Sequence, residues 1–133
     1  MMDLLLVGVG SFAGGVSRYV VGRAIAAQLG VAFPWHTLAI NVTGSLAIGL
    51  LAALLLRTGE PAGVAEGTAD AWRLLLMVGF LGGYTTFSSF SLELLTLLRE
   101  GRSAAALGYA LSSTMLGLAA CAAGYYAALR LSR

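Results

Sequence analysis

The chain has almost no charge with which to cover a surface. Of its 133 residues eight are basic and six acidic, 11% in all, and none is a lysine. Soluble domains carry about 25% charged residues, so a water-exposed shell is excluded for a chain that is 59% hydrophobic. The basic residues are arginines scattered singly, with no stripe that could follow a phosphate backbone, which excludes nucleic acid as a partner. A single cysteine, Cys121, rules out an intramolecular disulfide and a thiolate metal cluster, and its apolar setting marks it as small core filler. The two prolines, Pro34 and Pro61, both fall between apolar runs and so leave those runs unbroken. Asp3 stands where a signal peptide would place a basic flank, which argues against a cleaved leader.

What is present is long apolar stretches. Spans of about 4–29, 37–56, 74–98 and 103–129 can be drawn, the third free of charge to Leu92 and carried past Glu93. Each reaches roughly 20 residues or more, enough at about 1.5 Å per residue to cross a hydrocarbon core of about 30 Å. Residues 1–133 therefore form one all-α transmembrane domain of four helices. The connections at 30–36, 59–70 and 100–102 are short, so the spans should be sequential antiparallel neighbours. Tyr19, Trp35, Trp72, Tyr125 and Tyr126 lie near span ends, at headgroup level.

Eighteen glycines are roughly twice the ordinary share of about 7%. Gly10 and Gly14 form a GxxxG pair, while Gly8 with Gly15 and Gly117 with Gly124 are seven apart, spacings that let helix backbones approach closely in lipid. A dinucleotide loop at residues 8–14 is rejected, because the spacing is GxGxxxG and no strand–helix–strand unit surrounds it. Four such helices leave no aqueous route through a single chain, so transport would need an oligomer or an interface.

The third span carries the information. Gly82-Gly83-Tyr84-Thr85-Thr86-Phe87-Ser88-Ser89-Phe90-Ser91 is a poor lipid-facing surface. Two interior glycines cost on the order of 2 kcal/mol against two alanines, and a helix that breaks there frees backbone groups that must find partners. Two readings stand: a kink whose hydroxyls bond back to carbonyls one turn earlier, or a discontinuous helix whose freed ends hold ions. Other polar residues within the spans favour the second. Asn41 follows Thr37 by one turn in span two, and Ser113 follows Tyr109 by one turn in span four. Together with Thr86, Ser88 and Ser89 they form a neutral, donor-rich track, joined by Phe87 and Phe90, whose ring edges carry positive quadrupole and whose spacing puts them on one helix face. A cation path would show acidic rings, so a small anion is favoured. Packing is the alternative role for the two phenylalanines. Arg18 either snorkels to the headgroups or draws anions into a vestibule. Glu93 is placed near the end of its span, either merely solvated or gating a mouth and carrying a proton, and His36 reads as an interfacial loop residue without a partner.

The segments Gly14-Gly15-Val16-Ser17-Arg18-Tyr19, Thr37-Leu38-Ala39-Ile40-Asn41-Val42-Thr43-Gly44 and Gly82-Gly83-Tyr84-Thr85-Thr86-Phe87-Ser88-Ser89-Phe90 resemble the fluoride channels of the Fluc family, also called CrcB proteins. They span three of the four helices in the family's order. The resemblance implies a passive, fluoride-selective channel in the inner (plasma) membrane that exports fluoride from the cytoplasm and lowers its toxicity. It implies an antiparallel, dual-topology homodimer with two pores and a structural sodium ion at the centre of the dimer interface, held by the backbone carbonyls of Gly82 and Thr85 from both subunits. By motif position Asn41 is the pore amide, Phe87 and Phe90 present ring edges to the pore, and Thr86, Ser88, Ser89, Tyr109 and Ser113 belong to the polar track. Arg18 and Glu93 then sit at vestibules. Two positions depart from the pattern: His36 stands where the family commonly has glycine, and Gly117 where another hydroxyl would extend the track.

The arginine count agrees with dual insertion. One side of the membrane would receive Arg57, Arg73, Arg130 and Arg133, the other Arg18, Arg23, Arg99 and Arg102, leaving no bias to choose an orientation. The rival function is a small proton-coupled four-helix exporter, which needs a carboxylate within the membrane to exchange protons; spans one, two and four offer none in their interiors.

Overall fold

A computed structural model of the chain describes residues 1–55 and 70–131. Leu56, the connection at 59–69, and Arg57 and Arg133 of the charge count lie outside the described residues. Among the described residues four helical segments are long and apolar enough to cross a membrane. Helix α1 is Met2–Leu29 and α2 is Trp35–Leu55. The third segment, Asp70–Arg99, is interrupted. Its first part, α3, winds as a π-helix over Arg73–Leu81 and tightens to an α-turn at Gly82–Tyr84; its second part, α4, is Phe87–Arg99. Helix α5 is Ser103–Leu131.

The ends follow local chemistry. α1 stops at Gly30, whose φ of 75° only glycine adopts without strain. Pro34, which has no N–H to lose, accepts from Leu38 N–H at the entry to α2. α4 closes in a Schellman turn: Gly101, at φ 73°, donates to the Leu98 carbonyl and Arg102 N–H to that of Leu97, which turns the chain directly into α5.

The main helix pairs are α1 with α3 and α2 with α5, each running in the same direction, whereas α1 and α2 touch less. This corrects the expectation that sequential helices are the principal neighbours. The reason lies in where the glycines fall. A Cβ at Gly10 would run into the Leu75 carbonyl and one at Gly14 into that of Phe80, so α1 and α3 meet backbone to backbone. Gly49 lies on the Cys121 carbonyl and Gly124 on that of Leu46, joining α2 to α5 in the same way. Gly8 and Gly15 face open space, so of the two spacings in α1 only GxxxG is used within the chain.

Side-chain burial is concentrated at one end, where Leu38, Leu97, Ala106 and Tyr109 form a core with Phe33, Val42, Phe90 and Leu94 packed on it. Elsewhere the outer face is apolar, with Leu4, Phe12, Leu107 and Leu118 exposed. In water this would be a large unfavourable surface; in a bilayer it faces acyl chains.

Candidate functional site: a broken helix and a triply held carboxylate

The interruption falls at Thr85 and Thr86, whose backbones are extended, and not at the glycines. Gly82 is helical at φ −62°, ψ −37°. Gly83 instead packs on Ser11 of α1, where a Cβ would meet the serine's carbonyl oxygen. The helix is left by two β-branched residues, which the extended region suits, and each polar group of these two residues has a partner. Thr85 N–H and Oγ1 both donate to the Leu81 carbonyl, at 3.0 and 2.9 Å. Thr86 N–H donates to Asn41 Oδ1 at 2.9 Å, and Asn41 Nδ2 donates to the Thr86 carbonyl at 3.0 Å. The Asn41 amide thus copies one rung of a β-ladder. Thr86 Oγ1 accepts from Ser89 N–H at 3.2 Å, capping α4, and lies 3.2 and 3.1 Å from the Ser88 and Ser89 hydroxyls. The hydroxyls of Thr86, Ser88 and Ser89 are therefore gathered in one cluster.

Among the carbonyls that lose their helical donors are those of Gly82 and Thr85. Thr86 N–H, which would close a turn on Gly82, goes to Asn41, and Ser89 N–H, which would serve Thr85, goes to the Thr86 hydroxyl. Gly82 is exposed on the outer face of the chain. The Thr85 carbonyl accepts from Arg18 Nη1 at 3.4 Å. Arg18 is therefore directed at the break, one turn beyond the contacts of Gly14. Carbonyl oxygens freed in this way are the donor type that unwound helices offer to sodium, so the residues fit such an ion, with Arg18 sharing one of the two oxygens.

A second polar cluster surrounds Glu93. Thr37 Oγ1 donates to its Oε1 at 2.7 Å, Tyr109 Oη donates to its Oε2 at 2.6 Å, and His36 Nε2 stands 3.2 Å from Oε1. Two expectations are corrected here. Glu93 is not at the end of its span, since α4 continues to Arg99, and it is only partly exposed. His36 is not an unpartnered loop residue: it occupies the first turn of α2 and pairs with Glu93. The first came from the charge itself, read as a span end although the helix runs on, and the second from assigning residues 30–36 to a connection when α2 begins at Trp35. Thr37 is buried, and its role as a donor to Glu93 was signalled in the sequence only by its position one turn before Asn41.

Aromatic rings join the two clusters. Phe87 lies 5.6 Å from Phe90 between centroids, Phe90 lies 5.1 Å from Tyr109, and Phe33 meets Tyr109 edge-on at 5.5 Å. Tyr109 is 0% exposed and Phe87 79% exposed, so the row runs from the core to the outer face. Ser113 Oγ is buried without a hydrogen-bond partner among the described residues. An open cavity of 340 Å³ on the same face is lined by Asn41, Ser45, Met77, Gly82, Thr86 and Phe87. Asn41, Phe87, Phe90, Thr86, Ser88, Ser89 and Tyr109 thus form one continuous assembly. Two further polar contacts, Ser11 Oγ to the Gly79 carbonyl and Thr43 Oγ1 with Tyr84 Oη, brace α3 from either side.

Comparison with known proteins gives a consistent result. The family model described as CrcB-like protein, Camphor Resistance (CrcB), matches residues 5–125. A protein of Sphingopyxis alaskensis named fluoride-specific ion channel FluC is 44% identical over 124 residues, 93% of each chain. The protein of that name from Rhizobium meliloti is 43% identical over 124 residues, 93% of this chain and 94% of its own. That from Coxiella burnetii is 41% identical over 132 residues, 99% and 98% of the two chains.

Proposed function

The chain belongs to the CrcB family, and from that premise we infer that it is a fluoride-specific ion channel, a multi-pass membrane protein and not an enzyme. Fluoride passes through it passively, leaving the cytoplasm across the inner (plasma) membrane and lowering the toxicity of the ion. Hydrogen fluoride is a weak acid that enters neutral and dissociates at cytoplasmic pH, so a negative interior potential suffices to drive the anion out. The observation that carries this reading is the neutral cluster at the break: hydroxyls of Thr86, Ser88 and Ser89 and the Asn41 amide, with the Phe87 and Phe90 rings on the same helix. A strongly hydrated small anion needs donors in place of water along its route, and hydroxyls, amides and ring edges supply them. Ser113, whose hydroxyl is buried and has no partner among the described residues, extends the track on α5. Arg18 and Glu93 occupy the two vestibules.

The working unit is an antiparallel, dual-topology homodimer. The exposed Phe87, the exposed Gly82 and the cavity beside them leave the break open on one face of a single chain, which a second copy completes. The even arginine count supports insertion in both orientations. Gly82 and Thr85 are the residues whose carbonyls would hold a structural sodium ion at the dimer centre. Such an ion supplies positive charge between two breaks that otherwise present facing carbonyl dipoles. The proton-coupled exporter is disfavoured: Glu93, the carboxylate it would use, already has both oxygens engaged, and the relatives are named as channels.

The test is fluoride efflux from liposomes carrying the purified chain, read with a fluoride electrode against a chloride control. Rapid fluoride release with chloride retained supports the channel; equal release of both ions contradicts its selectivity. Orientation is tested in a Cys121→Ala background with one cysteine introduced into the 100–102 connection. Labelling from both faces of the membrane supports dual insertion, and labelling from one face contradicts it.

A further inference from the structure

We propose that His36 is a positioning residue for Glu93 that, by changing charge with pH, sets how strongly the mouth of the pathway attracts fluoride. The proposal rests on the channel reading above and adds a residue to it. Glu93 Oε1 takes the Thr37 hydroxyl at 2.7 Å and His36 Nε2 at 3.2 Å, while Oε2 takes Tyr109 at 2.6 Å. A hydroxyl donating to the carboxylate is not donating to a passing anion. With His36 neutral, its Nε2–H serves Oε1, the cluster keeps a net negative charge, and both hydroxyls stay committed to it. With His36 protonated the cluster is neutral overall, and repulsion of an approaching anion falls. Protonation also places a hydrogen on Nδ1, which is buried and has no hydrogen-bond partner among the described residues.

Imidazole is the side chain that changes charge between about pH 5 and 8, and no other described group near His36 shares this role. α4 presents Glu93 and α5 presents Tyr109. α1 meets the ring at Gly22, while its Arg18 and Arg23 donate to the Thr85 carbonyl and the Tyr19 hydroxyl. Arg102 donates to the Ala32 carbonyl at 2.6 Å and pairs with Glu100, so its charge is fixed nearby but does not titrate in this range.

The experiment is fluoride current across a voltage-clamped planar bilayer carrying the full chain, with pH equal on both sides and stepped from 8 to 5. Neutral hydrogen fluoride carries no current and does not interfere. The wild-type current should rise about two- to fourfold, the Boltzmann factor for one unit charge acting about 10 Å away across a wet mouth. His36→Gln, which keeps a donor but no titration, should hold the low current at every pH, and His36→Arg should hold the high one. A wild-type current indifferent to pH, or a His36→Gln current that rises as the wild type does, overturns the proposal and leaves the channel standing. Absence of fluoride current at every pH overturns the channel reading, and this proposal with it.

Discussion

Asn41 holds Thr86 by two hydrogen bonds at once, its amide nitrogen to the carbonyl at 3.0 Å and its amide oxygen from the N–H at 2.9 Å. The two residues are far apart in sequence, yet this pairing supplies both backbone groups of Thr86 with partners where a membrane helix stops at Tyr84 and restarts at Phe87. Asn41→Ala strands the Thr86 N–H, at about 1–3 kcal/mol, and takes the amide donor from its carbonyl, which still serves as the N-cap acceptor of α4. The variant should unfold at lower temperature in detergent as well as conduct poorly. Unchanged thermal stability with lost flux would reduce Asn41 to a pore donor.

The Tyr109–Glu93 bond should be strongly coupled. Tyr109→Phe removes the donor to Oε2, a hydrogen bond to a charged group of about 1.5–3 kcal/mol, and leaves a partly buried carboxylate short of one partner. Glu93→Gln removes the charge that the hydroxyl serves. The double variant should therefore be less destabilised than the sum of the singles by roughly 1 kcal/mol or more, read as unfolding temperature. Strict additivity would mean that the two side chains are neighbours without mutual dependence.

Backbone contact between helices makes a separate prediction. Gly14→Ala drives a methyl into the Phe80 carbonyl, and overpacking of this kind costs about 1–3 kcal/mol. Gly8→Ala meets nothing within the chain. Size-exclusion profiles of the two purified variants should show aggregation or loss for the first and wild-type behaviour for the second.

Phe90 links Phe87 to Tyr109, so its edge is central to the row of rings. Phe90→Ile should slow fluoride efflux on the order of tenfold, equivalent to about 1.4 kcal/mol of lost ion stabilisation. Leu95→Ile, at a half-exposed position on the same helix, should leave it within twofold of wild type, about 0.4 kcal/mol at most. Equal rates for the two would leave Phe90 as packing.

Much of this arrangement was legible in the residue pattern. Four apolar spans, a discontinuity in the third, and the stripes formed by Thr37 with Asn41 and by Tyr109 with Ser113 all follow from composition and helical spacing. The location of the break did not: Gly82 and Gly83 are the weakest helix formers there, yet both stay helical, Gly83 packed closely on α1, and the chain breaks where Asn41 offers an alternative partner to Thr86. Partner identities across helices were equally invisible. His36 looked isolated because its partner, Glu93, comes from another span, and Glu93 looked terminal because α4 runs on to Arg99. The pairing of α1 with α3 rests on Gly10 and Gly14, whose spacing is visible in the sequence, but nothing local says which helix they meet.

The central claim is that fluoride moves alone, without a coupled proton, along the track between the break and Glu93. It is tested by the reversal potential of current through the reconstituted chain under a tenfold fluoride gradient, with and without an opposing pH gradient. A passive fluoride channel predicts reversal at about 59 mV for that gradient, unchanged when the pH gradient is imposed. A reversal potential that follows the pH gradient would contradict it and identify a proton-coupled exporter.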